Sequence, residues 1–273
     1  MKNKAQILLI ALCFFITKNK AQTYFNNRYD LFGKGDFCSS VFTDLNNYYL
    51  NAGGLDATQT NLSLSTIKLD LQGNIIASKH YFKNQSWYYP RTCGFLKKTF
   101  DTLLLNTGYR TDVGYNSYPY IYMYKKNLDS VKYKEYGYPS KTNVINNSII
   151  VKHKFIYMVG YVDSSQTHSK ILIIKTDTSG NEIWKKKISL STMDEYAISI
   201  DTLQQDLVLG VSRRAHDNSY SDGSITRIDT AGNLIWNHIV YTNLYGGCGA
   251  KTLKDGNILI YSSYKKYTLA GND

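Results

Sequence analysis

A turn of the form Asp-x-x-Gly-Asn recurs along this chain at a spacing of about 52 residues, and that recurrence constrains the fold more than any local pattern. Two copies carry a following tryptophan: Asp177-Thr178-Ser179-Gly180-Asn181-Glu182-Ile183-Trp184 and Asp229-Thr230-Ala231-Gly232-Asn233-Leu234-Ile235-Trp236. A third, Asp70-Leu71-Gln72-Gly73-Asn74-Ile75-Ile76, lacks it. Short apolar runs ending in small residues keep the same step. They end at Gly53, Gly108, Gly160, Ser212 and Ser263, separated by 55, 52, 52 and 51 residues. In the second unit the turn aspartate is absent, and Asn127 is expected in its place.

Each unit reads as four short strands. An apolar strand leads to a second that ends in Gly or Ser, a polar loop follows, a third strand enters the Asp-x-x-Gly-Asn turn and a fourth leaves it. Period-2 alternation and enrichment in Tyr, Ile and Val support strands, and no stretch sustains a 3.6-residue period. The turn has a mechanism: Asp accepts backbone N–H groups two residues on, and Gly takes the positive φ of a tight reversal. Four strands per roughly 50 residues match one propeller blade. The expectation is an all-β propeller of four-stranded antiparallel blades. Four full blades lie near 37–83, 90–136, 142–190 and 194–241, and a partial fifth spans 246–273. The Asp, Gly and Trp residues of the turns (Asp70, Gly73, Asp177, Gly180, Trp184, Asp229, Gly232 and Trp236) then read as structural.

The ends of the chain are informative. Lys2 and Lys4 precede a 13-residue apolar run, Ala5 to Thr17, which is too short to span a bilayer and reads as a secretory signal over 1–22. No later segment reads as transmembrane. Residues 246–273 read as only the first two strands of a fifth unit, and Thr23 to Asp30 resembles an outgoing fourth strand. The chain therefore reads as a fragment of a longer product.

Charge argues against nucleic acid. The formal charge of +11 includes four lysines of the signal; without them 28 basic residues face 21 acidic ones, a net +7. Only six of those basic residues are arginine, and the lysine pairs fall at outer-strand or turn positions, as edge protection requires. Attraction to an acidic surface polysaccharide is compatible with this charge.

Three cysteines follow the signal. Cys38, Cys93 and Cys248 each lie 15 residues before a small landmark residue, where other units place Ile145 and Ala197. That shared phase predicts three buried free thiols on first strands, with one bridge and one odd thiol as the alternative. His80, His153, His168, His216 and His238 show no ligand spacing, so neither a metal nor a cofactor is expected from the sequence. No P-loop, G-x-S-x-G or G-x-G-x-x-G occurs. Candidate ligand-binding residues are those that break the repeat: Asp112, and the loop residues Arg213, Arg214, His216, Asp217, Tyr220 and Asp222.

The pattern Lys175-Thr176-Asp177-x-x-Gly180-Asn181-x-Ile183-Trp184, with a Gly-ending strand about 20 residues earlier, resembles the secreted β-propeller repeat proteins common in Bacteroidota. Proteins of that type often carry a type IX secretion sorting domain. The turn is also similar to the tryptophan-docking motif of quinoprotein propellers and to the sialidase Asp-box, but it departs from both in length, so neither chemistry carries over. The even repeat and the lack of a catalytic constellation in the sequence favour an exported, non-catalytic scaffold or binding module for a glycan or protein at the cell surface. Two alternatives stand beside it. One is a polysaccharide-acting hydrolase or lyase using Asp112, His216 and Asp217, and the other is a structural repeat region of a larger secreted protein.

Overall fold

The computed structural model describes residues 36–55, 61–97, 102–139, 141–164, 168–217, 220–242, 248–262 and 266–269. The expected signal segment and the strand expected over Thr23 to Asp30 lie outside them. The described elements are all strands, in five sheets. The first holds β1 (Asp36–Thr43), β2 (Tyr48–Gly54), β3 (Leu64–Leu69) and β4 (Ile75–Tyr81). The second holds β5 (Ser86–Lys97), β6 (Thr102–Asp112), β7 (Ser117–Tyr124) and β8 (Ser130–Glu135). The third holds β9 (Asn143–Val151), β10 (Phe155–Ser164), β11 (His168–Asp177) and β12 (Glu182–Ile188). The fourth holds β13 (Asp194–Leu203), β14 (Asp206–Arg214), β15 (Ser221–Ile228) and β16 (Leu234–Thr242). The fifth holds β17 (Cys248–Thr252), β18 (Ile258–Ser262) and β19 (Lys266–Leu269). Each sheet is an antiparallel meander in chain order, and the first strands β1, β5, β9, β13 and β17 pack on one another in succession. This is the architecture of a β-propeller.

Alternation along the strands builds the cores between blades. In the third blade, Ile156, Met158, Leu172 and Ile174 join Leu103, Leu105, Ile121 and Met123 of the second. Their sequence neighbours Tyr157, Val159, Ile171 and Ile173 face the other way and join Ala197, Leu207, Leu209 and Val211 of the fourth. A central strand buried on both faces reads as a continuous apolar run, as Phe155 to Val159 does. Each such aliphatic side chain contributes roughly 1.5–3 kcal/mol through burial. Gly210 shows why the second strand wants a small residue: a Cβ there would lie 2.4 Å from the carbonyl oxygen of Cys248 in the next blade.

The repeated turns carry the expected hydrogen bonds. Asp177 Oδ1 accepts the N–H groups of Ser179 and Asn181, both at 2.8 Å, while Oδ2 accepts Asn181 Nδ2 at 2.9 Å. Asp70 and Asp229 repeat the scheme with Asn74 and Asn233. Gly73, Gly180 and Gly232 have φ of 87°, 74° and 81°.

The turn also docks on the preceding blade. Tyr136 of the second blade donates to the Gly180 carbonyl at 2.7 Å, and Lys132 to the carbonyl of Ser179. Trp184, Lys175 and Lys186 of the third blade meet the turn at Gly232, Thr230 and Asn233 of the fourth. Outer-strand lysines are thus interblade donors as well as edge charges.

Two expectations need correction. In the second blade the place of the turn aspartate is taken by Lys125, not Asn127. Lys125 N–H bonds to the Asp129 carbonyl at 2.9 Å as Asp177 N–H bonds to Asn181, and Leu128 takes the glycine position with φ of 69°. Lys125 lies 17 residues after Gly108, as Asp70, Asp177 and Asp229 lie 17 after Gly53, Gly160 and Ser212. The fifth unit, expected to hold two strands, has a third, because β19 pairs with β18 from Ile258↔Leu269 to Tyr261↔Lys266.

Candidate functional site

A bulge interrupts the first strand of each of the first four blades. Pairing with the second strand skips one residue between Cys38 and Ser40, Pro90 and Thr92, Ile145 and Asn147, and Ala197 and Ser199. The skipped residues are Ser39, Arg91, Asn146 and Ile198, spaced 52, 55 and 52 apart. A bulge re-aims a side chain and bends the strand. Here three of the four displaced residues, Ser39, Arg91 and Asn146, line one cavity of about 430 Å³ between β1, β5 and β9. Cys38, Tyr89 and Asn147 are among the other residues that line it. The strands are tied beside it by side chains: Thr92 Oγ1 donates to Asn147 Oδ1 at 3.4 Å, and Asn146 Nδ2 donates to the Ala197 carbonyl at 2.9 Å.

Half-buried tyrosines extend from this cavity toward the end of the blades that carries the second-to-third strand loops. Tyr89 and Tyr109 stack with centroids 4.8 Å apart and an angle of 18°. Arg91 lies 5.4 Å from the Tyr109 ring and donates to its hydroxyl at 3.4 Å. Tyr161 of the third blade and Tyr196 of the fourth meet edge to face at 4.8 Å. Burial, with Asp163 and Tyr109 nearby, pushes Tyr161 up to about 12, and burial also raises Tyr89 and Tyr196. These three phenols stay protonated at neutral pH and keep an O–H donor beside each aromatic face.

The residues singled out from the sequence fare unequally. Arg213 and Asp222 form a bidentate pair, Nε–Oδ1 2.6 Å and Nη2–Oδ2 2.7 Å, with side chains only 5% and 3% exposed. They brace β14 against β15, with their charged groups turned to each other. Asp112 is a turn residue: its Oδ1 accepts Gly114 N–H and Asn116 N–H at 2.9 and 3.0 Å, and its Oδ2 accepts Tyr118 OH at 3.2 Å. It lies in the second sheet, apart from His216 and Asp217 beyond β14 of the fourth, so the Asp112–His216–Asp217 set is not assembled. Arg214, His216 and Asp217 are exposed, Tyr220 is half-buried, and the Ala215 N–H closes the loop on the Tyr220 carbonyl at 2.8 Å.

One grouping was not visible in the spacing. His168 at the start of β11, Asp194 at the start of β13 and His216 just after β14 come together at the loop end of the third and fourth blades. Among the other histidines, His80 Nδ1 meets Ser65 Oγ at 2.9 Å, His238 stacks near Trp236 and His153 is exposed in the β9–β10 turn.

The expected burial of the cysteines holds for Cys248, which is fully buried in the core between the fourth and fifth blades. It fails for Cys38, which is exposed because its strand borders the cavity instead of a filled interblade core. The Cys93 side chain lies outside the described residues.

No protein-family model and no curated protein matches the chain. Among solved structures it is similar to Pyrococcus horikoshii acylaminoacyl peptidase, with 12% identity, a TM-score of 0.49 and coverage of 88% of this chain and 38% of that one. It is similar to a subtype N10 neuraminidase-like protein of A/little yellow-shouldered bat/Guatemala, with 12% identity, a TM-score of 0.45 and coverage of 85% and 82%. It is also similar to the GH43 endo-arabinanase of Bacillus licheniformis, with 12% identity, a TM-score of 0.37 and coverage of 84% and 90%. The chain spans less than two thirds of the peptidase's length. Identities of 12% carry no residue correspondence, and the propeller assignment rests on the sheets themselves.

Proposed function

We propose that this chain is an exported, non-catalytic propeller module that binds a surface glycan in the cavity between its first strands. The observation that carries the reading is the stacked set of bulges, which turns Ser39, Arg91 and Asn146 from three blades into one space. A volume of about 430 Å³ falls in the range of small-ligand sites. Its wall combines a guanidinium, amides and hydroxyls with the ring of Tyr89, which stacks on Tyr109 behind it. A sugar ring needs both kinds of surface, since its hydroxyls seek planar donors and acceptors while its C–H face packs on an aromatic ring. Arg91 and the net positive charge favour an acidic sugar. Export rests on the N-terminal signal pattern, and placement at the cell surface follows from export together with the glycan reading.

A glycan array with the mature chain, followed by calorimetry on the best hit, tests this. Binding of an acidic oligosaccharide that Arg91→Ala weakens at least tenfold supports the proposal. An array without hits, or a hit that Arg91→Ala binds as tightly as the parent, refutes it. Because Arg91 is exposed, the variant is expected to fold.

A further inference from the structure

We propose that His168, Asp194 and His216 form a binding site for one divalent transition-metal ion, of the Zn²⁺ class, that bridges the third and fourth blades. The three residues are far apart in sequence but share one end of the propeller. The start of a third strand, the start of the next blade's first strand and the end of its second strand all lie at that end. Topology therefore converges what spacing hides.

The geometry is that of a two-histidine, one-carboxylate donor set. His168 Nδ1 is 3.7 Å from Asp194 Oδ1, and His216 Nδ1 is 3.5 Å from Asp194 Oδ2. All three donor atoms lie within 4.8 Å of one another. Zinc–nitrogen and zinc–oxygen bonds of about 2.0–2.2 Å imply tetrahedral edges of roughly 3.3 Å, so both His–Asp separations already approach a coordination edge. The two imidazole rings stand at 87° with centroids 5.6 Å apart, each aiming Nδ1 at a different oxygen of the same carboxylate. Because the two contacts run to different carboxylate oxygens, His216 must swing inward for both nitrogens to meet one ion. His216 is 73% exposed, so its ring has the rotamer freedom to do so.

The carboxylate is already held. Asp194 Oδ1 accepts the Ser169 N–H at 2.7 Å, and Ser169 Oγ donates to Asp163 Oδ1 at 2.6 Å. Such outer hydrogen bonds fix a ligand's orientation before metal arrives. Nitrogen donors paired with a single carboxylate favour zinc, copper or nickel over magnesium or calcium, which take oxygen sets. Three protein ligands leave at least one position for water or a ligand oxygen. Among the described residues this is the one cluster of three such side chains.

The test is a titration of the untagged mature chain with Co²⁺, read by its visible absorption, and with Zn²⁺, read by competition against a chelating dye. The expected result is one ion per chain, bound at least tenfold more weakly by His216→Ala and by His168→Gln. Exposed His153, in a turn at the opposite end of the blades, supplies the control, and His153→Ala should bind as the parent does. Zn²⁺ should also raise the melting temperature of the parent and not of His216→Ala, because the ion links two blades. Binding no tighter than millimolar overturns the proposal. So does an affinity that a folded His216→Ala variant retains.

Discussion

The indole of Trp184 lies over Gly232 of the following blade, so closely that a Cβ on Gly232 would stand 2.9 Å from Trp184 Cη2. The repeated Asp-x-x-Gly-Asn turn is therefore half of an interblade joint, and its glycine answers two demands at once. It supplies φ of 81° for the reversal, and it leaves room for the previous blade's aromatic ring.

Gly232→Ala should lower stability by about 1–3 kcal/mol through overpacking and left-handed strain together. Urea unfolding of the single variants and of Gly232→Ala in a Trp184→Ala background separates the two. If the ring contact matters, Gly232→Ala costs less once the indole is gone. An equal cost in both backgrounds would leave only the backbone term.

Arg213 and Asp222, chosen from the sequence as ligand groups, are expected to behave as a buried ion pair. Removing one partner leaves the other charge without its counterion inside the fold. Asp222→Ala should therefore destabilise by about 3–5 kcal/mol, whereas Arg213→Met with Asp222→Leu should cost much less. Denaturation midpoints of the single and double variants decide this. Asp222→Ala within 1 kcal/mol (about) of the parent would contradict the pairing.

Why some of these arrangements are legible in the sequence and others are not has a physical answer. The turns at Asp70, Asp177 and Asp229 were legible because Asp, Gly and Asn each perform a local backbone task that identity alone reveals. The second blade performs the same task with Lys125, Leu128 and Asp129, so the chemistry signal vanished there and the phase slipped by two residues. Bulges at Ser39, Arg91 and Asn146 depend on how two strands pair, and side-chain patterning does not report that. Asp112 is hidden because Gly114 comes one position early and Tyr115 takes the left-handed place with φ of 61°, although Asn116 keeps the repeat's offset of four and Asp112 caps the turn all the same. His168 and Asp194 open strands of two different blades and His216 follows β14, a closeness that exists only once the blades are in place.

Acid should unfold the protein in part through its turns. The Asn74 side chain and N–H hold Asp70 below the usual carboxylate range. For Asp229 the Asn233 N–H is the main cause, and for Asp177 hydrogen bonds from Asn181 and Ser179 outweigh the opposing effect of partial burial. Glu135 is also lowered: burial pushes it up, but Arg110 at 2.6 Å and Tyr133 hold it down. A carboxyl lowered in the folded state stabilises above its unfolded value, near 4, and that contribution is lost as pH falls through the lower folded value. Urea midpoints should accordingly fall a little between pH 7 and about 5, where burial holds the His80 imidazole below its ordinary value, and drop most steeply below about 4. Asp177→Asn should be less stable at neutral pH and show a shallower acid limb. A limb of unchanged slope would mean that Asp177 titrates alike in both states.

The contrast between Cys38 and Cys248 gives a direct probe of the cavity. Cys248 is fully buried and its thiol is pushed up to about 12, chiefly by desolvation, so two barriers stand against alkylation: no access and almost no thiolate. Cys38 is exposed at the cavity wall, yet desolvation raises its thiol as well, because neighbouring wall atoms displace water on one side. Iodoacetamide should therefore label Cys38 in the native protein, slowly at pH 7 and faster at pH 9, and should label Cys248 only after denaturation. Peptide mapping by mass spectrometry assigns each site. Labelling of native Cys248 would show that the core between the fourth and fifth blades opens, and a Cys38 that stays unreactive at pH 9 would place it away from solvent. An oligosaccharide seated between Ser39, Arg91 and Asn146 covers this same wall. It should slow Cys38 labelling in proportion to occupancy while leaving Cys248 unchanged.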